Sequence, residues 1–170
     1  EFDMKSIQRK IDAHPFIKDK TKKPRILTIT QSTYDGVLYN VEMLKDMLDG
    51  QIDTLHFDEA WLPHAAFHDF YKDMHAIGKD RPRAKESMIF ATQSTHKLLA
   101  GLSQASQILV RESEHHKLNK HTFNEAYLMH TSTSPQYAII ASCDVAAAMM
   151  EAPGGTALVE ESITEALDFR

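Results

Sequence analysis

Lys97, at the end of Gln93-Ser94-Thr95-His96-Lys97, stands between apolar stretches that both read as core, Met88–Thr92 before it and Leu98 onward after it. A lysine loses hydration there unless a partner compensates. Three kinds of chemistry suit it. Its stem can snorkel over apolar neighbours with the amine in water. It can hold a phosphate as a point charge, although the glycine pattern of a P-loop is missing. It can also condense with a carbonyl, which removes the charge by converting the amine to an imine. Its neighbours bear on that choice. Ser94 and Thr95 bring hydroxyls and His96 brings two ring nitrogens, a donor set suited to a phosphate beside the amine. Asp58 and Ala60, in His56-Phe57-Asp58-Glu59-Ala60-Trp61, add a carboxylate and a small residue able to pack flat on a ring.

These residues need elements to bring them together. Met4, Ile7 and Ile11 share one face of a short amphipathic helix, ended by Pro15 and a lysine-rich stretch. Arg25–Thr30 is a buried-strand candidate, followed by Ser32, Thr33 and Asp35 as possible caps for a helix over Gly36–Leu48. Asp53–Phe57 is the next strand. Strand, helix and strand in this order form a βαβ unit, with parallel strands and a right-handed crossover. Asp58 then lies just past the carboxyl end of its strand, the edge at which open α/β sheets bind ligands. Met88–Thr92 is a third strand with Lys97 beyond it, and Gln107–Glu112 a fourth. Residues 93–106 leave little room for a crossover helix, so the fourth strand is expected to be antiparallel. The last third of the chain reads as helical. The fold class is α/β, a mostly parallel sheet with one antiparallel strand and helices on both faces.

An amine, a phosphate-binding donor set and a carboxylate at neighbouring strand ends match the three functional parts of pyridoxal phosphate. These are its aldehyde, its phosphate and a ring nitrogen that must stay protonated for the ring to act as an electron sink. The segments HFDEAW, ATQSTHKLLAGLSQAS, FNEAYLMHTSTSPQYAIIAS and STYDGVLYN resemble the bacterial ornithine/lysine/arginine decarboxylases, over essentially the whole chain. The resemblance implies Lys97 as the residue forming the internal aldimine and Asp58 as the partner of the pyridine nitrogen. It also implies Ala60 and Trp61 flanking the ring, Ser94 and His96 on the phosphate, and Ser132 reaching the partner subunit's cofactor phosphate. Lys97 or His96 would relay a proton. The expected reaction is decarboxylation of lysine or arginine, less readily ornithine, to the amine and carbon dioxide, in a homodimer with a shared site or a higher oligomer. Transamination on the same fold and a non-catalytic assembly role are the alternatives. The expected domain is the carboxyl-terminal half of the cofactor-binding large domain of fold-type I, residues 1–170 being part of a longer chain without full activity of its own. In the family, a histidine stacked on the cofactor and further phosphate contacts come from earlier sequence.

Composition narrows the remaining classes. The chain has 170 residues, 42% of them hydrophobic, and a net charge of -5, enough for one well-cored domain and without a basic face for nucleic acid. The basic run Lys18–Lys23 reads as a solvated linker. Cys143 is the one cysteine, so it has no intramolecular disulfide partner and reads as a packing residue. No stretch approaches the roughly 20 apolar residues of a membrane span, and a cytoplasmic setting is expected. His64 and His68 have the spacing of metal ligands, but Pro63 argues against that, and no metal is expected. His115 and His116 read as solvated, Val145–Met150 as helix packing, and Glu59 equally as a substrate contact or as support for Asp58.

Overall fold

The computed structural model describes residues 2–15, 17 and 22–170. Its four-stranded sheet runs in the order β1 (Ile26–Thr30), β2 (Thr54–Asp58), β3 (Met88–Gln93) and β4 (Gln107–Arg111). β1, β2 and β3 are parallel, and β4 lies antiparallel to β3, as the short connection requires. The helices are α1 (Met4–Asp12), α2 (Val41–Leu48), the one-turn α3 (Thr95–Leu98), α4 (Lys120–His130), α5 (Tyr137–Met149) and α6 (Gly154–Phe169).

Side chains alternate across a strand, so each strand divides its residues between the two faces of the sheet. Ile29, Leu55, Phe57, Ile89 and Ala91 lie on one face and pack with Val41, Leu44 and Leu48 of α2. That face is sealed. The other face carries Thr28, His56, Asp58 and Thr92, together with Phe90, whose ring lies 6.2 Å from Phe123 of α4. Helices therefore meet the sheet from both sides, and the polar face holds the candidate aspartate.

α2 begins at Val41, not at Gly36. Asn40 is its N-cap, its side chain accepting a hydrogen bond from Met43 N at 2.9 Å. The residues before it form a turn: Gly36 has φ +77°, a conformation that suits glycine, and Ser32 bridges to Leu38. Thr33 closes this turn instead of capping a helix, accepting from Val37 N through its hydroxyl at 3.1 Å. Of the basic run, residues 18–21 lie outside the described residues. Lys23 is no free linker residue, since its amine lies 3.3 Å from Asp53 at the entrance to β2.

The corner between α2 and β2 also fixes the entrance to β3. Asp49 Oδ1 accepts from Glu86 N and Ser87 N at 3.0 and 2.8 Å, and Oδ2 accepts from Lys85 N at 3.0 Å. Burial pushes this carboxyl up, but the hydrogen bonds from Ser87, Glu86 and Lys85 outweigh it and hold the group below the usual carboxylate range. A depressed folded value means stability that is present above the unfolded pKa of about 3.9 and lost as pH falls through the folded value. Asp49→Asn is expected to cost about 1 kcal/mol at neutral pH, or about 2–4 °C in Tm. The gap to wild type should narrow in thermal melts as pH falls below the unfolded value and close once the folded carboxyl is protonated.

Candidate active site at the carboxyl edge of the sheet

Parallel pairing brings the candidate residues together. Thr30, Asp58 and Thr92 are register neighbours at the carboxyl ends of β1, β2 and β3. Asp58 is the last residue of β2, and its Oδ1 accepts from Ala60 N at 3.1 Å. That bond turns the chain sharply, so the carboxylate and Ala60 are fixed as one unit. Beyond Thr92 the chain passes through Gln93 and Ser94 into α3, which carries Lys97.

The Lys97 amine lies over the Trp61 ring, 4.5 Å from its centroid, a cation–π arrangement. Tyr34 meets the same indole edge-on at 5.6 Å. Three strand-end loops thus converge on the lysine. The apolar residues after it do not form a core strand: Leu98 and Leu102 are about half exposed, at 46% and 51%. Leu98 instead borders two cavities. One, of about 280 Å³, also involves Ser32, Thr33, Tyr34 and Trp61. The other, of about 850 Å³, opens toward α5 and α6.

His96 is held by its own loop. Its backbone N and its ring Nδ1 lie 3.1 and 2.8 Å from the carbonyl oxygen of Ala105. A carbonyl only accepts, so Nδ1 carries a proton; Nε2 is left as an acceptor in the neutral ring and as a second donor in the imidazolium. Ser94 occupies the N-cap position of α3 without making a capping bond from its side chain. Thr95 Oγ1 is buried and lacks a hydrogen-bond partner. A buried hydroxyl without a partner is costly in a finished core and useful where a polar ligand completes it. Two hydroxyls without partners among the described residues, an imidazole nitrogen, an amine and an accepting carboxylate are a set of polar groups that fits pyridoxal phosphate.

Other candidates lie elsewhere. Ser132 is exposed in the α4–α5 loop, where it accepts from Ser134 N at 3.1 Å, and it touches none of these groups among the described residues. His64 and His68 face different partners: the ring of Tyr71 at 5.1 Å, and Glu160 at 2.6 Å. Among the described residues, no group of three or more His, Cys, Asp or Glu is placed to hold a metal. His115 and His116 are not simply solvated, since both engage Glu86, at 2.6 and 3.3 Å. Cys143 is half-buried, and among the described residues no helix is long and apolar enough to cross a membrane.

The sequence reading passed over His56. Its ring bridges β1 and β3, with Nδ1 3.2 Å from Thr28 Oγ1 and Nε2 3.0 Å from Thr92 Oγ1. Burial lowers its affinity for a proton, and the charge of Asp58 only partly opposes this. The alternation of polar and apolar residues in all three strands was the available signal.

The whole chain, residues 1–170, matches the family model described as Orn/Lys/Arg decarboxylase, major domain. It is 49% identical over 170 residues to a lysine decarboxylase of Pseudomonas aeruginosa, covering 100% of this chain and 22% of that protein. It is 47% identical over 171 residues to the biodegradative arginine decarboxylase of Escherichia coli K12, again covering 100% of this chain and 22% of the relative. Lysine decarboxylase A from Pseudomonas aeruginosa, a solved structure, superposes with a TM-score of 0.85 at 49% identity, over 100% of this chain and 23% of that one. The chain therefore spans about a fifth of the length of these relatives.

Gly101 offers a test of how tightly the lysine-bearing turn is held. A Cβ at this position would lie 3.0 Å from Ala105 Cβ, 3.2 Å from Thr95 Cγ2 and 3.3 Å from His96 N. Gly101→Ala is expected to cost about 1–2 kcal/mol through overpacking, read as a lowered Tm. Perturbed amide signals at Thr95 and His96 should accompany it.

Proposed function

Because the chain belongs to the Orn/Lys/Arg decarboxylase family, we propose that it is the part of a pyridoxal-phosphate-dependent decarboxylase that holds the cofactor and presents Lys97. The reading extends to a basic amino acid as substrate, lysine or arginine before ornithine, in line with the names of the two relatives described above. What carries it is the register of Asp58 with Thr92 at adjacent parallel strand ends, with Ser94, Thr95, His96 and Lys97 following in the turn just beyond β3 and the Lys97 amine over Trp61.

Each residue has a task in this reading. Lys97 supplies the amine that attaches the cofactor carbonyl. Asp58, steadied by Ala60 N, would pair with the ring nitrogen and keep it protonated. Ala60 and Trp61 would flank the ring, and Trp61 holds the Lys97 amine through its own ring face. Ser94, and His96 through Nε2 when both ring nitrogens carry protons, would donate to the phosphate, and the buried Thr95 hydroxyl would gain a partner. Bound pyridoxal phosphate supplies an electron sink for the pair left behind as carbon dioxide departs. Lys97 or His96 then returns a proton to the substrate carbon.

The chain is read as the second half of the large domain of a cytoplasmic enzyme, with the rest of the site supplied by sequence that precedes it in the relatives. Homodimerisation would place Ser132 at the partner subunit's cofactor phosphate, which suits an exposed loop serine that contacts no other candidate.

Borohydride reduction of the full-length protein, followed by peptide mapping, tests this reading. The reduced cofactor is expected on Lys97, and Lys97→Ala should lose both the label and turnover. Asp58→Asn is expected to lower kcat on the order of 10³-fold, about 4 kcal/mol of transition-state stabilisation. A label on another residue, or a keto acid as product instead of carbon dioxide and a diamine or agmatine, would sink the proposal.

A further inference from the structure

Beneath the candidate site, the same sheet edge carries a row of polar side chains with no task in that chemistry. Gln31 and Glu59 directly follow the register neighbours Thr30 and Asp58, Gln93 follows Thr92, and Gln107 is the register partner of Gln93. Gln31 and Glu59 are fully buried, and Gln93 is 5% exposed. Glu59 Oε2 accepts from Gln93 Nε2 at 2.9 Å, and Gln93 Oε1 accepts from Gln107 Nε2 at 2.7 Å. On its other side, Glu59 Oε1 accepts from Ala76 N at 2.5 Å. Gln31 Nε2 donates to the carbonyls of Tyr39 and Met74 at 2.7 and 2.9 Å.

A buried carboxylate is a poor choice if stability is all that is needed. An apolar residue of similar volume often stabilises as well or better. Burial pushes the Glu59 carboxyl up, and the hydrogen bonds from Gln93 and Ala76 oppose it. What the row adds is direction. As a carboxylate, Glu59 accepts on both oxygens, from Ala76 N and from Gln93 Nε2, so Gln93 presents its amide nitrogen to Glu59 and its oxygen to Gln107. Only one orientation of each amide satisfies this chain. Glu59 adjoins Asp58, and Gln93 leads through Ser94 into the turn that bears Lys97. The backbone bond from Glu59 N to Thr92 O, 2.9 Å, extends the same link.

We propose that the Glu59–Gln93–Gln107 row is a positioning device that fixes the ends of β2 and β3 relative to each other, and with them Asp58 and Lys97. The proposal rests on Asp58 and Lys97 being the cofactor-binding pair. Its members do not touch the cofactor; they act through the strand ends above them.

A charge exchange in the full-length holoenzyme tests it. Gln93→Glu sets two carboxylates against each other in a buried place. Combining it with Glu59→Gln restores one carboxylate facing one amide. The new amide accepts from Ala76 N and donates to the new carboxylate, which still accepts from Gln107. Gln93→Glu is expected to lower kcat about tenfold with KM changed less than about threefold. It should also move the pH midpoint of the lysine-bound cofactor absorbance by at least about half a unit. The double variant should return both to within about twofold of wild type. A Gln93→Glu protein that loses Tm but keeps its midpoint and kcat would show the row to be structural filler, as would a double variant no better than the single. If Gln93→Glu does not fold, Gln93→Asn withdraws the amide without adding charge. It should shift kcat and midpoint in the same direction by a smaller amount, and no shift overturns the proposal. Wild-type protein with no borohydride label on Lys97 refutes the cofactor reading and takes this proposal with it. A labelled wild type with an unresponsive Gln93→Glu refutes the positioning row alone.

Discussion

Parallel strands that lie side by side finish at the same edge, and the arrangement of Asp58 and Lys97 depends on that constraint. β2 and β3 pair from Thr54 with Met88 through Asp58 with Thr92, so the residues that leave the two strands emerge together. A slip of one residue would move Asp58 to the sealed face and Phe57 to the polar one. Packing forbids this, because Leu55, Phe57 and Ile89 are fully buried against α2. The register of the site is thus paid for by the hydrophobic effect acting on residues with no chemistry of their own.

The two faces of the sheet handle polarity differently. On the open face, His56 stands two residues back from the edge and links the exposed Thr28 hydroxyl to the half-buried Thr92 hydroxyl at the edge. On the sealed face, apolar side chains run up to the edge, and there Gln31, Glu59 and Gln93 replace them. The segment from Asp73 to Ala76, buried at His75 and Ala76, closes over that row, with Val41 N donating to Asp73 O and Lys45 Nζ to Ala76 O. Burial lowers the proton affinity of Lys45, and the adjacent Glu42 offsets part of the effect.

The sequence carried more of the sheet than of the site. The four strands were legible because each is a short apolar run bounded by polar residues, and the short connection of residues 93–106 implied an antiparallel β4. The start of α2 was misread because Gly36, in a turn conformation, looks like the first residue of the helix when only the apolar spacing is followed. The positions of Asp58 at the end of β2 and of Lys97 just beyond β3 were legible from the strand pattern. Glu59 stayed ambiguous because its partners, Gln93 and Ala76, come from distant positions that no local pattern links. His56 was passed over for the same reason: its two hydroxyl partners lie on different strands. Leu98 and Leu102 read as core because hydrophobicity alone does not say which surface an apolar residue will border.

The turn that bears Lys97 is joined to the central strand without a hinge. α3 starts at Thr95, its first turn is tied to the Ala105 carbonyl, and Lys97 N is bonded to Ser94 O at 3.0 Å. The mobile part of this arm is therefore the aliphatic stem of one side chain, which rotates on the picosecond-to-nanosecond scale, while loop rearrangement takes nanoseconds to microseconds. An amine so mounted can change position without the backbone moving. On the function proposed above, Lys97 would leave and rejoin its partner by side-chain rotation alone, and the turn that carries it would contribute no slow step of its own.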